Sequence, residues 1–192
     1  MKKAKKTTLF TTKNIAYIAV LLAISVVMNA LKIPITGSNM ITFTYIPDFV
    51  AGFYFGPGAG FLVGACGDGF GYILGLKVGE WIPGKAISAG LMGAIPGLVK
   101  HIRLKEKWIL LISYILTFLV CSVGLNTFVL WYTKWQSVPY GVYLVGRLPV
   151  SFLNMLANLV INAALMPVFN RIILPRLKKN APRSKEEEAA QS

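Results

Sequence analysis

Acidic residues are scarce in this chain of 192 residues: 7 Asp and Glu stand against 20 Lys and Arg, and charged residues make up only 14% of the whole. A typical soluble domain carries about 25% charged residues, so composition argues against a water-exposed globule. Histidine occurs once, as His101 in a basic stretch with Lys100, Arg103 and Lys105. Neither a Ser-His-Asp arrangement nor a histidine metal cluster can be assembled from that. The two cysteines, Cys66 and Cys121, have no C-x-x-C spacing and no neighbouring ligand set, which leaves them as packing residues. The sequence also has no G-x-x-x-x-G-K-[ST] phosphate loop. The chain is therefore expected to be no enzyme and no ATPase, and to carry neither cofactor nor metal.

What is present is apolar. A formal net charge of +13 would suit nucleic acid on a polar surface, but 55% hydrophobic residues and a mean hydropathy of +0.62 leave too little polar surface to build one. The bilayer is the expected partner, and no nucleic acid is expected. A spanning helix needs about 20 predominantly apolar residues. Uncharged gaps of 18 residues (Lys13 to Lys32), 26 residues (Lys107 to Lys134) and 23 residues (Arg147 to Arg171) each allow one crossing. Between Lys32 and Lys77 the only charges are Asp48 and Asp68, and Gly56-Pro57-Gly58 divides that stretch into a helix pair. A further span begins near Trp81 or Pro83, with Lys85 snorkelling at its end.

The expectation is an all-α integral membrane protein with six transmembrane helices over about 14–31, 45–56, 58–76, 82–99, 108–133 and 148–171. A basic flank (1–13) precedes this membrane domain (14–175) and a charged, solvated tail (176–192) follows it. Six spans place the N-terminal flank, the fourth connection and the tail on one side, together holding 15 of the 20 basic residues. By the positive-inside bias both termini are cytoplasmic. The lysine-led first apolar run is not followed by an A-x-A cleavage site and is read as an uncleaved span.

Polar groups inside such spans need partners or a wet cavity. Asp48, beside Pro47 at a helix start, suits an N-terminal carboxylate. Asp68, deeper and flanked by Gly67 and Gly69, is expected to be a structural hydrogen-bond hub. Gly67-x-Gly69-x-Gly71 is read as close helix packing, since no strand-turn-helix unit surrounds it. Asn154, Asn158 and Asn162 recur every four residues on one helical face, and Asn126 lies in the fifth span. On the external side stand Lys77, Glu80, Trp81 and Lys85, and then Trp131, Tyr132, Lys134, Trp135, Tyr140, Tyr143 and Arg147. Trp135, Tyr140 and Lys134 fit an interfacial belt. Aromatic walls, amides and cations together suit a planar, anionic heteroaromatic ligand.

The stretch Ile41-Thr42-Phe43-Thr44-Tyr45-Ile46-Pro47, followed by Ala51-Gly52, Phe55-Gly56-Pro57, Gly64-Ala65, Asp68 and Gly71-Tyr72, resembles the second and third helices of substrate-binding S components of energy-coupling factor (ECF) vitamin transporters. Trp81-Ile82-Pro83-Gly84 and Leu125-Asn126-Thr127 with the later Arg147 resemble the folate-type branch. The resemblance implies six helices, an outward-facing vitamin pocket, and docking to a T component driven by two ABC ATPases in a plasma membrane of bacterial type. It implies substrate contacts from Arg147, Lys85, Asn126, Trp81, Trp131, Tyr132, Asn154 and Lys77. Docking is implied for Ala16, Ala19 and Ala23, where Ala19-x-x-x-Ala23 fits the first-helix A-x-x-x-A of the family. The branch's Arg-x-x-Lys is broken, because Val150 follows Arg147 at that spacing, while Lys85 stands where an aromatic is usual. Folate is the first expectation for the ligand, ahead of riboflavin or pantothenate. A solitary secondary transporter is the other class considered, but no inverted repeat and only one deep carboxylate support it.

Overall fold

The computed structural model describes residues 12–36, 39–75, 81–102 and 105–179. Lys77 and Glu80 fall outside the described residues, as do the lysines before residue 12 and the tail beyond 179. The chain runs through α1 (Thr12–Ala30), the strands β1 (Ile33–Thr36) and β2 (Asn39–Ile41), α2 (Tyr45–Phe55), α3 (Pro57–Ile73) and α4 (Pro83–Lys100). It continues through α5 (Glu106–Thr117), a π-helical segment (Phe118–Asn126), α6 (Thr127–Lys134) and α7 (Tyr140–Lys179).

The strands form one antiparallel hairpin with an irregularity between Pro34 and Thr36. The chain is helical as expected apart from this short hairpin, whose cause is local: Ile33, Ile35 and Thr36 are β-branched and stiff in a helix. α7 begins at Tyr140, ahead of the expected 148. Pro139 starts it, because its carbonyl accepts the amides of Val142 and Tyr143 at 3.1 and 3.2 Å. Three helices are long and apolar enough to cross a membrane by length and composition: Thr12–Ala30, the continuous Glu106–Lys134 and Tyr140–Ile173.

The centre of the bundle is α2, all of whose residues are buried. A helix apolar on every side must be wrapped by others, and α1, α3, α4 and α7 contact it. Phe49 stacks on Phe53 with ring centres 5.7 Å apart, and the Tyr45 ring meets the edge of Tyr114 at 4.7 Å. The turn into α3 depends on Gly56, whose φ of 101° and ψ of 169° suit glycine almost alone. Pro57 then begins α3 without an amide hydrogen, so the carbonyl of Phe53 loses its helical donor. Lys100 replaces it: Nζ donates to that carbonyl at 2.6 Å while lying 4.4 Å from the centre of the Phe53 ring.

Backbones touch where α3 crosses α4. A Cβ built on Gly60 would collide with the carbonyl of Gly93, and one on Gly93 would collide with the carbonyl of Gly60. Small residues permit this approach, which drives helix association where lipid removes the hydrophobic incentive. Gly67 and Gly71 extend the same packing to α1, facing Ser25 and Asn29. Asn29 Nδ2 donates to the carbonyl of Gly67 at 2.9 Å.

Candidate functional site

Five elements meet at one end of the bundle: α4, the π segment, α6, α7 and the hairpin. Gly84, at the start of α4, abuts Val129 of α6, and Ser88 one turn further reaches the carbonyl of Cys121 in the π segment. The first half of α4, with Lys85 half-buried in its first turn, therefore runs beside the stretch that holds Asn126. The N-terminal half of α7 and the hairpin complete this end, with β2, the π segment and α6 all in contact with α7.

Arg147 sits two turns into α7. Its Nη1 donates to the hydroxyl of Tyr143 at 3.3 Å, and Tyr143 in turn stacks on Trp135 with centroids 5.9 Å apart. The guanidinium is thus held from one side by an aromatic pair, while its Nε is buried with no hydrogen-bond partner among the described residues. Asn126 Oδ1 is in the same condition. Asn29 Oδ1, Ser113 Oγ and Asn158 Oδ1 are buried and open as well, so open capacity is spread through the bundle, and Arg147 and Asn126 are a donor and an acceptor of it at the aromatic-rich end.

The other expected contacts separate into groups. Trp131 spends its Nε1 hydrogen on the carbonyl of Val138 at 2.7 Å and packs edge-on against Tyr140, so it closes the turn between α6 and α7. Tyr132 is 60% exposed and stacks on the exposed Phe128, away from the interior. Trp81 lies 6.4 Å from Tyr72 across the connection between α3 and α4. Asn154 Oδ1 accepts the amide of Thr42 at 3.1 Å, and Asn158 Nδ2 donates to the carbonyl of Thr42 at 2.8 Å. The two asparagines hold one backbone residue just after the hairpin, a pairing that four-residue spacing hints at without naming the partner. Asn162 Nδ2 donates to the hydroxyl of Tyr114, which itself donates to the carbonyl of Asn158 at 3.0 Å. This amide face is inward as expected, and much of its capacity goes into fastening α7 to α5 and the hairpin.

The carboxylates differ from the expectation. Asp48 is the deeply buried one, 2% exposed, and accepts Ser25 Oγ at 2.9 Å. It joins α2 to α1, whereas Asp68 is only half-buried. Ser25, one turn before Asn29 on the inner face of α1, is the signal that sequence reading passed over. On the opposite face of α1, Ala16, Ala19 and Ala23 are all exposed, alongside Ile15, Val20, Ile24 and Val27.

A bundle with apolar helices outside and buried amides inside is the build of an integral membrane protein. The comparisons define it further. Residues 13–168 match the family model for the ECF transporter substrate-specific component, and the chain belongs to that family. The fold is similar to that in a crystal structure of FolT bound with folic acid, with a TM-score of 0.69 and 26% identity over 81% of this chain and 93% of that one. It is also similar to the S component of a bacterial ECF transporter, with a TM-score of 0.63 and 23% identity over 84% of this chain and 97% of that one. No curated protein matches the chain.

Proposed function

We propose that this chain is the substrate-binding subunit of an ECF-type importer and that its ligand is folate. The observation that carries the reading is the pair of open polar atoms, Arg147 Nε as donor and Asn126 Oδ1 as acceptor, at the aromatic-rich end of the bundle. Folate offers complements to both: carboxylates for the guanidinium, and ring N–H and amino groups for the amide oxygen. The likeness to FolT bound with folic acid supports the same ligand.

In this reading the six helical rods cross the membrane six times, with α2 and α3 as a pair joined at Gly56 and both termini cytoplasmic. Lys85, Trp81 and Asn154 border the outward-facing ligand site, with Trp131 shaping the turn beside it. The small, exposed face of α1 around Ala16, Ala19 and Ala23 receives a T component, and two ABC ATPases supply the energy. Its place is the plasma membrane of a bacterial-type cell.

Titration of the purified protein with folate, riboflavin and pantothenate tests the ligand. Saturable folate binding at micromolar concentration or below is expected, with neither of the others competing. Binding of riboflavin or pantothenate in place of folate transfers the reading to that vitamin, and binding of none of the three overturns it.

A further inference from the structure

Along α5 the buried side chains are Ile109, Leu110, Ser113, Tyr114 and Thr117, a single stripe at helical spacing that faces the bundle. Continued at about 3.6 residues per turn, that stripe reaches Phe128 about three turns beyond Thr117 and leaves Asn126, about two and a half turns beyond it, on the opposite face. The observed burial is different. Phe128 is 51% exposed, while Leu130, which the same spacing turns outward, is 7% exposed. The π segment Phe118–Asn126 accounts for the slip, because i→i+5 pairing widens each turn and rotates each residue less than an α-helix does. The lag accumulated by its end carries Asn126 from the outer face round to the inner one, where its Oδ1 is buried.

Two side chains secure the wide turns. Thr127 Oγ1 donates to the carbonyl of Ser122, five residues back, at 2.8 Å. Ser88 of α4 donates from the neighbouring helix to the carbonyl of Cys121 at 3.4 Å. Both are fully buried. Thr127 marks the end of the π segment, so its hydroxyl fixes where α-helical spacing resumes. Nothing in the composition of Phe118–Asn126 forbids an ordinary α-helix, since it contains no proline and one glycine.

We propose that Thr127 and Ser88 are positioning residues for ligand recognition: they pin the π segment in the register that turns the Asn126 amide oxygen toward an N–H donor on the ligand. This rests on the proposed function and adds to it the chemical feature being read, an amino or ring N–H group of a heteroaromatic. Neither hydroxyl touches the ligand. Each acts through Asn126, with Thr127 the stronger because its bond is shorter and local.

Folate titration of the purified full chain tests the proposal. Thr127→Val should weaken binding by about 5- to 10-fold and Thr127→Ser, which keeps the hydroxyl, should restore it. The double variant Thr127→Val/Asn126→Ala should bind within about twofold of Asn126→Ala alone, because residues acting through one contact are not additive. Ser88→Ala should give a smaller loss in the same direction. Wild-type affinity in Thr127→Val, or losses that add in the double variant, overturns the proposal. Should the wild type not bind folate, the ligand reading fails separately, and the positioning claim is decided on the free protein by amide hydrogen exchange across residues 118–127. Faster exchange in Thr127→Val with wild-type protection in Thr127→Ser supports it, and unchanged protection in both overturns it.

Discussion

The α1–α4 half and the α5–α7 half of the molecule solve the same problem in opposite ways. Where α2, α3 and α4 meet, glycines bring backbones into contact at Gly52, Gly60 and Gly93, and α1 is joined to them by Ser25 on Asp48 and Asn29 Nδ2 on the carbonyl of Gly67, with Asn29 Oδ1 left open among the described residues. The second half is looser in register. It holds a π segment, a stack of Trp135, Tyr143 and Arg147, and polar atoms of Asn126 and Arg147 left open. A close-packed region tolerates no change of shape, whereas a region with open hydrogen-bonding capacity has something to offer a ligand. In the proposed reading the first half is a rigid support that carries the docking face and lends the start of α4 to the ligand site, and the second half supplies the remaining contacts.

The sharpest way to break that contrast is to insert bulk between the close-packed backbones. Gly93→Val drives a branched side chain into the carbonyl of Gly60, and overpacking of this kind costs about 1–3 kcal/mol or more. Loss of folded protein in a detergent melting assay is expected, and a variant that melts like the wild type removes the rigid-support description. Next in size is Ala23→Trp on the exposed face of α1. It should abolish vitamin uptake in cells that supply the T component and ATPases, while leaving folate affinity within about twofold, because that face packs on a partner and not on the ligand. Loss of affinity alongside uptake refutes the docking assignment.

In the recognising half, Arg147→Ala should weaken folate binding by about 10- to 150-fold, the equivalent of one charge-assisted hydrogen bond at about 1.5–3 kcal/mol. Across the seam, at the start of α4, Lys85→Ala should act in the same direction with a smaller effect, since an ammonium near a helix end keeps part of its hydration. Isothermal titration measures both, and equal affinities across the three proteins remove the anionic site from this end. The smallest change is expected at Asp48→Asn, which keeps an acceptor for Ser25 Oγ. Melting temperature and folate affinity should stay close to wild type. A large loss of binding there moves recognition into the first half and dissolves the contrast.

Much of this arrangement was readable from residue order. The uncharged gap from Lys13 to Lys32 holds nearly all of α1, because a lysine or arginine cannot be left inside a bilayer without a partner. The break at Gly56-Pro57 is equally local, fixed by a backbone that suits glycine and a proline at the first helical position. Glycine spacing in α3 foretells close packing, and the alanines of α1 lie on the exposed face that the spacing assigns to them. α7 starts earlier than the span from 148 because the Pro139 carbonyl accepts the first helical amides, a contact that the charge gap from Arg147 to Arg171 does not register.

The helical and apolar character of the chain follows from the sequence by itself, since it depends on composition and on contacts within a few residues. Tertiary structure decided which carboxylate became buried: Asp48 lies on α2, wrapped by four other helices with Ser25 of α1 against it, whereas Asp68 lies on α3 and is half-buried. It also decided that Asn154 and Asn158 grip Thr42, a residue more than a hundred positions away. Most of all it decided which way Asn126 points: a segment with no breaker in it takes a π-helical register beside a hydroxyl from α4, and no count of spacing along one helix can anticipate a phase that is held in part by a neighbouring one.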